Sequence, residues 1–144
     1  MKEVIKKDKR YVFLVIGDGR ELDNIKQKSK EIADSIIFLG RRNDVNKQLN
    51  CMDLLVLPSK REGLPMVAVE AQLTNLPCFL SDTITDEVDI GNTKFIKLDK
   101  KEWIKEILNF NIQEKKKIDR EKFNIDICAK ELEKVYYKYY EEKK

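Results

Sequence analysis

Short apolar runs alternate with amphipathic stretches along most of the chain. Tyr11–Ile16, Ser35–Leu39, Leu54–Leu57, Cys78–Leu80 and Lys94–Leu98 are continuous rather than alternating in hydrophobicity. That pattern predicts parallel strands buried on both faces. Between them the spacing predicts helices: Arg20–Ala33, a helix capped by Asp44 and running to about Met52, and one with Pro65 as first residue reaching about Leu73. The β-α-β-α rhythm with short connections implies an open α/β sheet of about five parallel strands with right-handed crossovers. After Leu98 the pattern turns helical, at Lys101–Phe110, Gln113–Phe123 and Ile125–Glu142. The last of these carries Ile125, Cys128, Leu132, Val135, Tyr136 and Tyr139 at helical spacing, which reads as a core-facing stripe.

No repeat and no Pro/Gly/Ser linker divides the 144 residues, so a single domain is expected: an α/β core to about residue 100 and a helical tail over 101–144. A chain of this length can bury roughly two thirds of its unfolded surface. The longest apolar run is six residues, Tyr11 to Ile16, far short of the ~20 that a membrane span needs. A net charge of +3, from 29 Lys+Arg against 26 Asp+Glu, is no argument for a nucleic-acid partner, which calls for a clustered basic face. Lys6–Arg10 and Glu114–Lys117 read as solvated faces.

Histidine is absent. That excludes a Ser-His-Asp triad, a Cys-His pair and a histidine-ligated metal within this chain. Chemistry must then run on carboxylates, cations and backbone dipoles. Cys51, Cys78 and Cys128 are far apart and odd in number, which reads as free core thiols in a reducing compartment.

In open parallel sheets ligands bind at the carboxyl ends of the strands, so the loops there carry the candidate chemistry. The first is Gly17-Asp18-Gly19-Arg20-Glu21-Leu22, which opens like a dinucleotide fingerprint but has Leu22 in place of a third glycine. Gly40-Arg41-Arg42 follows the second strand, which leaves an NADP reading as a minor alternative. The richest loop is Pro58-Ser59-Lys60-Arg61-Glu62-Gly63-Leu64-Pro65, continuing into Met66-Val67-Ala68-Val69-Glu70. Glu62 precedes the helix. Glu70 lies inside it among apolar residues, where a carboxylate is costly without a donor. Sugar or ribose hydroxyls are suitable donors, and the helix start offers free N–H groups to a phosphate. A solvated Glu62 and a Glu70 bonded within the core are the plain alternatives.

Five segments carry a family resemblance: VFLVIGDG over Val12–Gly19, IFLGRRND over Ile37–Asp44, MDLLVLPS over Met52–Ser59, EGLPMVAVEAQ over Glu62–Gln72 and LPCFLSDTITDEV over Leu76–Val88. With the Phe123-Asn124-Ile125 pattern of the tail, they resemble the donor-binding domain of family 4, or group 1, GT-B glycosyltransferases of the capsule and exopolysaccharide type. The resemblance implies a Rossmann-like fold that binds a nucleotide-sugar, a UDP-sugar in the first instance, for retaining hexosyl transfer to a glycan or lipid-linked acceptor. It implies Glu62 as the catalytic-site carboxylate holding the transferred sugar and Glu70 as acceptor for the ribose hydroxyls. Backbone amides of Gly63, Leu64 and Met66 would face sugar and diphosphate, with Ser59, Lys60 and Arg61 in the same site. Arg41, Arg42 and Asp44 would cradle the base, and Gly17 and Gly19 would line the cleft.

No cofactor or metal is implied, in keeping with the lack of a D-x-D motif. By the same resemblance, an N-terminal acceptor domain and the first strand of this domain are expected to lie outside these residues. The Arg and Lys that the family sets against the diphosphate have no matching positions, and the lone chain is expected to turn over little or nothing. The last helix of the fold commonly crosses to the first domain, so Tyr137 and Tyr140 are expected to cover a surface meant for that missing half or for a partner. Asn75 stands where the family has Gly, which its tolerance of the left-handed conformation accommodates. The setting implied is cytoplasmic, with the whole enzyme at the inner face of the membrane. The alternatives are a non-catalytic nucleotide-binding module or fragment and, behind it, a sugar-nucleotide epimerase.

Overall fold

A computed structural model of the chain describes residues 1–111 and 118–143. Five strands form, β1 (Phe13–Ile16), β2 (Ile36–Gly40), β3 (Leu55–Leu57), β4 (Cys78–Ser81) and β5 (Thr93–Ile96). Among these residues six α-helices accompany them: α1 (Lys2–Lys7), α2 (Leu22–Lys28), α3 (Val45–Leu49), α4 (Met66–Leu73), α5 (Lys100–Leu108) and α6 (Ile125–Glu141). Each of the five expected strands is present and every pairing is parallel. Hydrogen bonding divides them, however, into a two-stranded sheet β1-β2 and a three-stranded sheet β3-β4-β5. One edge of β1 and one edge of β3 are therefore unpaired.

The three-stranded half holds the densest packing. All four residues of β4 are buried. Leu49, Ala68, Val69, Leu76 and Leu80 form the largest cluster, with α3 packed against α4 over it. A second cluster of Val4, Phe79, Ile96, Trp103 and Ile107 joins the two halves, since Phe13 of β1 and Val56 of β3 both pack on it. Burial on both faces is true of β4 alone. Ile37 of β2 is 46% exposed, and the other strands are half-buried.

Several local expectations change. The stretch Arg20–Ala33 is not one helix: α2 ends at Ser29, whose hydroxyl donates to the Ile25 carbonyl, and a tighter 3-10 turn, Lys30–Ser35, follows with a kink at Ile32. A serine that bonds back to the preceding turn competes with helix continuation. Pro65 is the N-cap of α4 rather than its first residue. The segment before Tyr11 contributes α1, whose Val4 and Ile5 are buried while Lys6 and Lys7 stay outside. Residues 118–123 are turns and bends rather than helix; residues 113–117 of that expected helix, and the expected solvated face at Glu114–Lys117, lie outside the described residues.

The largest departure is α6. Asn124 caps it by accepting from the Asp126 N–H, yet none of its residues is buried. The expected core stripe is exposed, with Leu132 at 53% and Tyr136 at 67%. Of the three thiols only Cys78 is in the core, while Cys51 and Cys128 are exposed.

Candidate functional site

The site is built from loops that follow strands. Gly17, directly after β1, has φ +125, and Gly40, at the end of β2, has φ +64. Both conformations suit glycine, which has no Cβ to clash with its own backbone. The Gly17 N–H donates to the Gly40 carbonyl at 2.8 Å, so the first and second loops are tied where they leave the sheet. A Cβ added at Gly17, Gly19, Gly40 or Gly63 would meet nothing within 4 Å, so open space lies before all of these positions.

In the second loop Arg42 and Asp44 make a two-point pair, Nε to Oδ1 and Nη2 to Oδ2, both at 2.8 Å. The guanidinium holds the Asp44 carboxyl below the usual carboxylate range, and the Gln48 side chain adds a weaker contact at 3.3 Å. Asp44 occupies the N-cap position of α3, but its carboxylate does not cap the helix because Arg42 engages it. Arg41 is exposed and makes no hydrogen bond or ion pair among the described residues.

The third loop enters α4. Pro65 is buried and extended, fixing the entry angle, while Gly63, Leu64 and Met66 are exposed. No side chain caps the first turn of α4. Its leading N–H groups and the positive end of its dipole are thus available to an anion. Lys60, Arg61 and Glu62 are exposed and unpaired among the described residues. Ser59 is half-buried, and its carbonyl accepts from the Thr83 hydroxyl at 3.1 Å. Thr83 also lies 2.8 Å from the Ser81 hydroxyl. It therefore binds the loop after β3 to the loop after β4, a role that pattern reading assigned to no residue. The side-chain hydroxyls in the run Ser81-Asp82-Thr83 were the available signal.

Glu70 departs from the sequence argument. It is exposed, on the same face of α4 as Met66 one turn earlier, and it has no partner among the described residues. The burial cost inferred from its apolar neighbours therefore does not arise. Those neighbours, Ala68, Val69 and Ala71, face the core instead. The buried polar residue of the helix is Gln72, two positions on and 0% exposed. Its Nε2 donates to the Ala68 and Val88 carbonyls at 3.1 and 2.9 Å, and its Oε1 accepts from the N–H groups of Ile90 and Asn92 at 3.0 and 3.4 Å. All four of its hydrogen-bonding positions are used, three of them holding α4 to the 88–92 loop.

The structure thus joins Gly17 to the end of β2, Arg42 to Asp44, and the Ser59 loop to the Thr83 loop. It brings Glu62 or Glu70 into contact with none of the candidate cations. Two cavities of about 310 Å³ lie elsewhere, one against α1 and α2 and one between Lys7 and the face of α5 that carries Lys101, Ile104 and Leu108. Among the described residues no group of three His, Cys, Asp or Glu side chains converges as a metal site, and no helix is long and apolar enough to cross a membrane.

Comparison with known proteins covers most of these elements. The profile of the family described as glycosyl transferases group 1 matches residues 1–110. The chain is 37% identical over 84 residues to a putative glycosyltransferase, EpsF, of Bacillus subtilis, covering 57% of this chain and 22% of that protein. It is 39% identical over 74 residues to the UDP-Gal:alpha-D-GlcNAc-diphosphoundecaprenol alpha-1,3-galactosyltransferase of Escherichia coli, covering 49% and 19% respectively. The chain therefore spans about a fifth of the length of these curated relatives. Among solved structures the fold is shared with TarM, with a TM-score of 0.68 over 76% of this chain and 23% of that one, at 24% identity.

Proposed function

Because the chain belongs to the group 1 glycosyl transferases, we propose that it holds the activated sugar donor, a UDP-hexose, for retaining transfer to a glycan or lipid-linked acceptor. The observation that carries this reading is the state of the Glu62–Glu70 segment. Two exposed carboxylates without partners among the described residues flank the uncapped start of a helix that is otherwise anchored in the core. Carboxylates accept strongly from hydroxyls. Glu70 would take the ribose hydroxyls, and Glu62 would orient the transferred sugar.

The departing diphosphate gains negative charge in the transition state. The α4 N–H groups of Met66 and its neighbour, with Lys60 and Arg61, would meet that charge without a bound metal. Arg41 and the clamped Arg42–Asp44 loop would face the base. The UDP assignment draws support from the name of the E. coli relative. The acceptor would be presented by a surface outside these residues, at the cytoplasmic face of a membrane. The break between the two sheets supports this reading: a doubly wound sheet of order 3-2-1-4-5-6 places its first strand between those corresponding to β1 and β3. Such a strand and domain would complete the enzyme, and without them the chain would bind donor and turn over little.

The test is a calorimetric titration with UDP and UDP-hexoses of the native chain and of Glu70→Ala and Glu62→Ala. The native chain should bind both ligand types, weakly. Glu70→Ala should lose at least about tenfold for both, as expected for a charge-assisted hydrogen-bonding group. Glu62→Ala should lose affinity for the UDP-hexose only. Both variants should melt with the native chain, since neither side chain is buried. Absence of binding, or binding indifferent to Glu70, would overturn the donor-site assignment.

A further inference from the structure

The Pro58–Pro65 loop between β3 and α4 carries Lys60, Arg61 and Glu62, all exposed and unpaired among the described residues. Its helix end is firm, because Pro65 is buried and Gln72 anchors α4. Toward its strand end, Thr83 is the only side chain among the described residues that hydrogen-bonds to the 58–64 backbone. Its hydroxyl donates to the Ser59 carbonyl at 3.1 Å, and a carbonyl can only accept. The Thr83 proton is thus committed. The Ser81 hydroxyl, 2.8 Å away, must then donate to Thr83 Oγ1, while Ser81 Oγ accepts from the Thr83 N–H at 3.2 Å. The chain of bonds therefore runs in one direction, from Ser81 through Thr83 to Ser59. Its root is fixed: Ser81 is 0% exposed at the end of β4, the strand with a hydrogen-bonded neighbour on each side.

Ordering a loop of long charged side chains on binding costs conformational entropy, which a loop ordered beforehand does not lose again. Thr83 ties the backbone immediately before Lys60, Arg61 and Glu62. Glu70, by contrast, is carried by α4 and does not depend on the tie. We propose that Thr83 is a positioning residue of the donor site, holding the Ser59–Glu62 loop ready for the diphosphate and the transferred sugar. This role rests on the donor-site reading above.

The test is a double-mutant cycle read by calorimetric titration with UDP-hexose. Thr83→Val, close in shape but without the hydroxyl, should weaken binding about fivefold, as loss of one hydrogen bond does. Thr83→Ser keeps the hydroxyl and should restore most of that affinity. In the Thr83→Val background Glu62→Ala should cost little more, because the loop that carries Glu62 has already lost its order. Glu70→Ala should cost its full amount there, as an independent site does. Limited trypsin digestion gives a reading without ligand: cleavage after Lys60 and Arg61 should accelerate in Thr83→Val and not in Thr83→Ser. Native affinity in Thr83→Val, or the same loss in Thr83→Ser, would overturn the proposal and leave the donor site standing. So would unchanged cleavage of the loop, or coupling to Glu70 as strong as to Glu62. A native chain that binds no UDP-hexose would instead overturn the donor-site reading, and this role of Thr83 with it.

Discussion

Helices α4 and α6 make the most instructive contrast in the molecule. In sequence α6 has the clearer amphipathic pattern, with a stripe of Ile125, Cys128, Leu132, Val135 and Tyr139 at helical spacing. By contrast α4 is apolar nearly all round, broken by Glu70 and Gln72. In the fold α4 is locked in place, whereas no residue of α6 is buried. Ala68, Val69 and Ala71 enter the core, and Gln72 bonds to a loop sixteen to twenty residues away. The α4 C-terminus closes with Asn75 at φ 63, its N–H donating to the Gln72 carbonyl and that of Leu76 to the Ala71 carbonyl. That is a Schellman closure. An amphipathic face states that cover is needed. It does not state that the same chain provides it.

The two regions can be set against each other through their thiols, where the largest effect is expected. Burial pushes the Cys78 thiol up from the ordinary 9.0 to about 12, whereas Cys128 at the base of α6 is exposed. Burial both keeps Cys78 protonated and shields it from reagent, so at mild alkaline pH it should react with a disulfide reagent far more slowly than the exposed thiols. Two thiols should titrate in the folded chain and the third only in denaturant. Three reacting together would mean that the core around α4 opens as easily as α6 does.

Next comes Gln72→Leu, similar in volume but unable to bond. It strands the Ile90 and Asn92 N–H groups and the Val88 carbonyl, each worth about 1–3 kcal/mol when buried and unpaired. A loss of roughly 3 kcal/mol or more is expected in urea unfolding, a large share of the stability of a small domain. A variant that unfolds with the native chain would show that the hub is replaceable. The smallest effect belongs to the end of α4. Asn75→Ala should cost about 1 kcal/mol because the left-handed conformation penalises a Cβ that has no compensating polar side chain. Asn75→Gly should be neutral or slightly stabilising, and a reversed order in thermal melts would contradict the strain argument.

Much of this was legible beforehand. The continuous apolar runs marked all five strands because strand formation needs only a few adjacent residues of the right kind. The loops after them could be named since parallel strands place their carboxyl ends together. Buried Pro65 announced the start of α4 to within one residue, and Asn75 announced its end. What misled was inference about which side faces inward. Glu70 looked buried from its neighbours, but a helix turns by 100° per residue, so adjacent positions do not share an environment. Asp44 looked like a cap until Arg42, two residues before it, claimed its carboxylate. The α1 helix escaped notice because its two core residues, Val4 and Ile5, are set among lysines.

Sequence alone, then, determined the strand set, its parallel sense, the family, and the segment in which Glu62 and Glu70 are carried. These rest on local composition and spacing, which act within a single element. Tertiary structure decided the rest: the split into two sheets, Gln72 rather than Glu70 as the buried polar group of α4, Thr83 as the tie between two loops, and the exposure of α6. Each of these depends on which distant surface arrives opposite a residue, and burial and hydrogen bonding are properties of that pair of surfaces.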